Sequence, residues 1–233
     1  MISIILIEPE HSGNVGYVAR VMHNFNFTDL VLISPKCSHL DLDGRTFATH
    51  GKGILQKAKV KDMAYLRKFD HLIATTAKIG TDYNIRRSPI TPEEIAEKIS
   101  PWSSQKIGIL FGRESSGLTN KEIALADVTV TIPASKKYPT LSIAHAAAIV
   151  MYCLNNRLAA VKQHSHIPLA TRKEKEIIFD ILEGIISGLD LKTPSKEETQ
   201  RRVWQRVIGK SFLTRREAFA VIGFLKKVKE KIK

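Results

Sequence analysis

A chain of 233 residues with 43% hydrophobic residues can build one medium domain plus an appendage, and aromatics at 7% exclude a core packed mainly on rings in favour of an aliphatic, sheet-based one. Its 36 Lys and Arg against 23 Asp and Glu leave a net charge of +13 and a pI near 9.8, a surface that attracts polyanions, nucleic acid first among them. Cys37 and Cys153 form no close-spaced pair, so neither a disulfide framework nor a zinc site is indicated.

The apolar run 2–7 meets Glu8 at once, too short for a membrane span or a signal peptide, and a reducing cytoplasm is the expected compartment. Further short apolar runs follow at 30–34, 71–75, 107–111 and 128–132, each rich in β-branched residues. Helical patterns lie between them. Val15, Val18, Ala19, Met22 and Phe25 keep helical spacing behind the candidate caps Ser12 and Asn14. Thr91-Pro92-Glu93-Glu94 starts a helix with proline at its first position, and Asn120-Lys121-Glu122 starts another. Alternating strand and helix predict an α/β fold with a mainly parallel sheet flanked by helices.

After Pro139 a helical pattern runs over 142–162, with Ala144, Ala146, Ala147 and Ala148 close together. Residues 164–171 read as a linker. Beyond it no strand is expected, and three helices are, over 172–189, 195–209 and 214–232, a small all-α extension. From residue 166 on, 16 Lys and Arg face 9 Asp and Glu, so these 68 residues carry +7 of the total charge. The expected division is 1–163 for the α/β domain, 164–171 for the linker and 172–233 for a basic helical extension that binds RNA.

Three segments carry candidate chemistry. Residues 8–20 follow the first strand and open the first helix. Gly13 suits a tight turn there, and Gly16, one turn before Arg20, is expected to clear space beside the guanidinium. An arginine so placed can grip a phosphate with two parallel donors; a plain exposed arginine fits the spacing as well. The Gly-x-x-Gly here does not match the dinucleotide fingerprint. Residues 107–119 run from a strand into a glycine-bounded loop carrying Arg113 and Glu114, where ligands of open α/β sheets lie. Residues 132–146 repeat the theme: strand, loop, then an alanine-rich helix opened by the hydroxyls Thr140 and Ser142, which suit capping.

Together these segments resemble the SPOUT methyltransferases, in particular the TrmH-like RNA ribose methylases. Gly13-Asn14-x-Gly16-x-x-Ala19-Arg20 looks like that family's first motif, Phe111-Gly112-Arg113-Glu114-x-x-Gly117-Leu118 its second, and Ile132-Pro133 through Leu141 its third, in family order over about 1–160. The helical tail with Arg202-Val203-Trp204-Gln205-Arg206 is similar to the TrmJ branch, which methylates a pyrimidine ribose at position 32 of the tRNA anticodon loop. The resemblance implies a sheet whose C-terminal segment forms a trefoil knot, a rarity among folds. It implies S-adenosylmethionine as cofactor, held by Thr75, Thr76, Ala77, Gly112, Ile132, Pro139, Thr140 and Leu141. It also implies a homodimer acting on tRNA, with no membrane and no metal.

Arg20 matches the family's catalytic position. Because arginine stays protonated, it is expected to bind the phosphate beside the target ribose rather than act as base. Asn14 and Glu114 are expected to orient Arg20 and the loop, and Thr140 to hydrogen-bond substrate or cofactor. Many family members have Ser-Leu-Asn where this chain has Thr140-Leu141-Ser142, which leaves Ser142 without an inherited role. Candidate RNA contacts are Arg20, Lys136, Lys137, Arg201, Arg202 and Arg206, with Trp204 expected in the core ahead of a stacking role. His145 reads as a core histidine. His39, Asp41 and Asp43 read as a solvated loop, ahead of a metal site. Tyr17, Phe25 and Phe27 suit an interface or core equally. The alternatives are ribose methylation of rRNA, a non-catalytic RNA-binding dimer on the same fold, and a DNA-binding basic protein.

Overall fold

The first strand, β1 (Ile2–Ile7), lies in the middle of a six-stranded, wholly parallel sheet. The structure is a computed structural model, and it describes residues 1–77, 89–99, 105–160, 168–189, 191 and 193–232. In chain order the first half contains α1 (Ser12–Asn24), β2 (Asp29–Ile33), α2 (Leu42–Ala48), α3 (Lys52–Gln56), β3 (Lys59–Lys61) and β4 (His71–Thr75). The second half contains α4 (Pro92–Ile99), β5 (Ile107–Phe111), α5 (Asn120–Ala124), β6 (Val128–Val130), α6 (Ile143–Ala160), α7 (Arg172–Gly188), α8 (Pro194–Ser211) and α9 (Arg215–Ile232).

The strand order is β3-β2-β1-β5-β4-β6. Ile5 of β1 sits between Val31 of β2 and Leu110 of β5. Alternate residues serve opposite faces. Ile4, Leu6, Leu32, Ile73, Ile109 and Phe111 pack under α1, α4 and α6. Ile5, Ile7, Val31, Ala74 and Leu110 face the other way, against Leu66, Phe69, Leu118 and Ile123. Burial on both faces is why these strands read as apolar runs rather than as alternating ones.

The three C-terminal helices share a core of their own, including Ile178, Ile181, Leu182, Ile208, Ile222 and Leu225. They dock on the sheet end where the strands begin. Lys175 of α7, buried, donates to the Asp70 carbonyl at 2.8 Å and to Asp127 Oδ1 at 2.9 Å, and lies 3.2 Å from His71 Nδ1. Asp127 in turn accepts from the Leu72 backbone N–H at 2.9 Å. Gly209 of α8 approaches the Asp127 carbonyl so closely that a Cβ there would lie 2.6 Å from it. Lys175, one of the charges of the basic extension, is thus a buried dock and not part of an RNA-facing surface.

Several sequence expectations are refined. The two-lysine edge strand β3 and the short helices α2 and α3 went unforeseen. The start of α1 is capped at His11, with no side-chain hydrogen bond from the cap, so neither Ser12 nor Asn14 is its cap. Residues 164–167 of the expected linker lie outside the described residues. Leu169 is buried in the sheet's core, bridges Thr214 and accepts from Gln105 Nε2 at 3.0 Å.

Candidate active site

Because every strand is parallel, all their carboxyl ends share one edge. β1, β5, β4 and β6 are neighbours there, so the three sequence segments singled out above converge with the end of β4. Glu114, just past β5, reaches the loop after β1. Its Oε2 accepts from the Glu10 N–H at 2.9 Å and its Oε1 from the His11 N–H at 3.2 Å and Asn14 Nδ2 at 3.1 Å. Helix α1 has no acidic residue in its first turn. Glu114 therefore supplies, from another loop, the negative charge that a helix N-terminus favours. The tie is returned: Glu10 accepts from the Ser115 N–H at 3.0 Å and Ser115 Oγ at 2.7 Å, which holds the Glu10 carboxyl below its usual range. Glu10 and Ser115 were missed in sequence, where an acid ahead of a helix signals nothing about a partner a hundred residues away.

Arg113 does not pair with its neighbour Glu114. It grips Glu122 through two nitrogens at 2.8 and 3.1 Å, reaches Glu8 at 3.3 Å and donates to the Gly117 carbonyl at 3.2 Å. Burial pushes the Glu122 carboxyl up, but Arg113 and the Thr119 cap outweigh it and hold it low. Gly112 is required because a Cβ would strike Gly117 and Leu118 on the loop's return, and Gly117 has φ +69°. This loop is thus a rigid bracket.

Arg20 lies exposed on α1 and makes no hydrogen bond or ion pair among the described residues. Its fork is open. The expected help from Glu114 is indirect, since that carboxylate orients the start of α1 and not the guanidinium. Nor does Gly16 clear space for Arg20: a Cβ there would strike the Gly44 carbonyl, so Gly16 admits α2 against α1. Gly13 is helical and makes room for the Phe47 ring, 2.9 Å from where its Cβ would lie. Thr140 is exposed and contacts neither Asn14 nor Glu114 through any hydrogen bond.

The expected cofactor residues sit at three adjacent strand ends. Thr75, Thr76, Ala77, Gly112, Ile132 and Leu141 are half-buried, while Pro139 and Thr140 are exposed. Thr75 Oγ1 donates to the Leu110 carbonyl at 2.9 Å and the Thr76 N–H to Val130 at 2.9 Å, which fastens these ends together. None of these side chains is ionisable. Small, apolar and hydroxyl groups beside backbone suit an adenosine moiety read by shape and main chain, so the residues fit the cofactor.

Ser142 ends the third loop as a cap of α6: it lies 2.9 Å from His145 Nδ1, and its carbonyl accepts from the Ala146 N–H. His145 is exposed and not core, because its flank of α6 faces away from the sheet. Asp41 caps α2, accepting from the Gly44 N–H at 2.9 Å. Phe27 is core, Phe25 is half-buried against Tyr152, and Tyr17 is exposed and stacked on Phe47. Lys136 and Lys137 are exposed. Arg201 is paired with Glu183 at 2.7 Å and Glu197 at 3.0 Å, and Arg202 with Glu198. Arg206 is half-buried, and burial lowers its pKa. Trp204 is 37% exposed, at the surface and not in the core.

An open parallel α/β sheet with a bracketed helix start at its carboxyl edge is the class of α/β fold that binds its ligand at that edge. The chain belongs to the SpoU rRNA Methylase family, whose model matches residues 1–152. It is 34% identical over 229 residues to a Methanocaldococcus jannaschii protein described as tRNA (cytidine-2'-O-)-methyltransferase TrmJ, covering 97% of this chain and 99% of that one. Among solved structures it is similar to TrmJ from Z. mobilis ZM4, with TM-score 0.71, 27% identity and 98% and 99% of the two chains covered. It is also similar to a probable methylase family protein from Haemophilus influenzae Rd KW20, with TM-score 0.66, 30% identity and 99% and 97% covered.

Proposed function

We propose that this chain transfers a methyl group from S-adenosylmethionine to a ribose 2′-hydroxyl of tRNA, at the pyrimidine in position 32 of the anticodon loop. The observation that carries this is the tie from Glu114 to the start of α1: it fixes the helix bearing the open Arg20 fork to the loops suited to the cofactor. The relatives' descriptions support tRNA as substrate.

S-adenosylmethionine supplies an electrophilic methyl group, which needs in-line approach more than acid–base help. Thr75, Thr76, Ala77, Gly112, Ile132 and Leu141 would hold it through backbone and small side chains, with Pro139 and Thr140 closing from the exposed loop. Arg20 binds the phosphate beside the target ribose and steers its oxygen to accept the hydroxyl proton. Lys136 and Lys137, exposed on that loop, attract the RNA backbone.

The proposed division stands at 1–163, 164–171 and 172–233. The trefoil knot remains the proposal that the family membership supports. The compartment proposed is the cytoplasm and the assembly a homodimer, for which Tyr152, 53% exposed on α6 beside Phe25 at the end of α1, offers a contact surface. Within the extension, α9 fits RNA better than α8. It exposes Arg216, Lys226 and Lys227 together with Phe219 and Phe224, 53% and 68% exposed, whereas Arg201 and Arg202 are already paired.

The test incubates the full chain with labelled S-adenosylmethionine and an unmodified tRNA pool, with rRNA in parallel, and maps the methyl group. A 2′-O-methyl at position 32 is expected; label only in rRNA would replace tRNA as the substrate. Arg20→Lys keeps charge but loses the fork, so turnover should fall at least about tenfold. Near-normal turnover would rule out the two-point grip.

A further inference from the structure

An open cleft of about 560 Å³ lies against the first two turns of α1, and Glu10, Gly13, Tyr17, Asp41, Asp43 and Phe47 are among the residues that line it. Tyr17 and Arg20 are three residues apart on the helix, so their Cβ atoms are neighbours at roughly 5–6 Å. One wall of the cleft is the Tyr17 ring stacked on Phe47, centroids 4.6 Å apart and planes 22° apart. Tyr17 remains 39% exposed, and only the missing Cβ of Gly13 lets Phe47 lie this close to α1. The cleft's three carboxylates differ in engagement. Glu10 is held by Ser115, and Asp41 by the Gly44 N–H and Ser12. Asp43, exposed on the first turn of α2, gives its backbone N–H to Asp41, while its carboxylate has no hydrogen bond or ion pair among the described residues.

We propose that this cleft receives the base of the nucleotide being methylated, with Tyr17 as its stacking surface and Asp43 as the acceptor that selects cytosine over uracil. The inference rests on the reading that a ribose is methylated beside Arg20. A ribose held there carries its base within reach of the next helical turn. Aromatic faces stack on any base, so Tyr17 supplies affinity without choice. Choice comes from the exocyclic position: cytosine presents an N4 amine that donates to a carboxylate, whereas uracil presents O4, an acceptor that a carboxylate repels. An acidic lining in a chain of net charge +13 fits an amine-bearing base better than a phosphate.

The test compares kcat/KM of the full chain on two tRNA transcripts that differ only in cytidine or uridine at the methylated position. S-adenosylmethionine affinity, thermal midpoint and sedimentation are measured beside it. The wild-type enzyme should prefer cytidine. Asn can accept from cytosine or donate to uracil, so Asp43→Asn should lower the cytidine-to-uridine ratio about tenfold, with cofactor affinity and midpoint unchanged. Tyr17→Ala should lower kcat/KM on both transcripts by about tenfold without moving the ratio, and Tyr17→Phe should restore it. The proposal is overturned by equal wild-type use of both bases, by an unchanged ratio in Asp43→Asn, or by a Tyr17→Phe as impaired as Tyr17→Ala. It is also overturned if Tyr17→Ala changes the oligomeric state, which would make the cleft a contact between copies. A wild-type enzyme that methylates no tRNA at all refutes the functional reading itself and this inference with it.

Discussion

Glu114 holds two backbone N–H groups and the Asn14 amide, so its charge and its two acceptor oxygens both matter. Glu114→Gln keeps an acceptor and removes the charge at the start of α1. Denaturant unfolding should show a loss of about 1 kcal/mol. Single-turnover methyl transfer should fall at least tenfold, since small misplacements of positioned groups are costly to rate. Equal stability and equal rate would show that the tie is idle. His71 offers a second test at this scale. Burial, then the Lys175 ammonium, lower its pKa from 6.5 to about 4. Between those values the unfolded chain binds the extra proton. The His71 contribution is therefore full above pH 6.5 and drains as pH falls toward 4, by roughly 3 kcal/mol over the range. His71→Asn should flatten the wild-type stability profile between pH 6.5 and 4; parallel profiles would contradict the neutral, buried imidazole.

The elements were legible in sequence to the degree that burial shaped them. β1, β4 and β5 match the apolar runs end for end, because both faces of each strand are covered, so that even Ser3 within β1 and His71 at the head of β4 are buried. The strand β3, Lys59-Val60-Lys61, left no such trace: it is a three-residue edge whose Lys59 pairs with Asp29 and whose Lys61 is exposed. Gly13 and Gly16 were legible as required glycines but not for what they admit, since Phe47 and Gly44 belong to an unforeseen helix. The tail helices were found from their periodicity, yet Lys175 looked like any surface lysine. Its place is set by Asp127 and Asp70, which no local pattern connects to it. Lys175→Met should leave Asp127 uncompensated and cost about 3–5 kcal/mol in denaturant unfolding. Adding Asp127→Asn should recover part of that. A cost below about 1 kcal/mol would mean that α7 docks by its apolar side alone.

For the whole molecule, charge was the first feature read, and the structure sorts it into paired and unpaired parts. On α8 the arginines at 201 and 202 are neutralised by their own helix and by Glu183, while α9 leaves Lys226 and Lys227 exposed. If α9 faces the RNA, replacing both lysines by Glu should weaken tRNA binding and reduce the slope of log affinity against log salt by about 2. Arg201→Ala should leave that slope within error. The reverse pattern, measured by filter binding across a salt series, would return the RNA to α8.

The sheet order also has a consequence in time. β5 pairs with both β1 and β4, so it joins the two halves of the sheet, yet it is synthesised after β4. At about 5–20 residues per second, the stretch from His71 to Ile107 takes roughly two to seven seconds to emerge. Throughout that interval β1 lacks a neighbour on one side and β4 lacks the one that links it to β1. The apolar runs that make these strands easy to recognise are then exposed edges, and the nascent chain must be kept from pairing with another copy until residue 111 has left the ribosome.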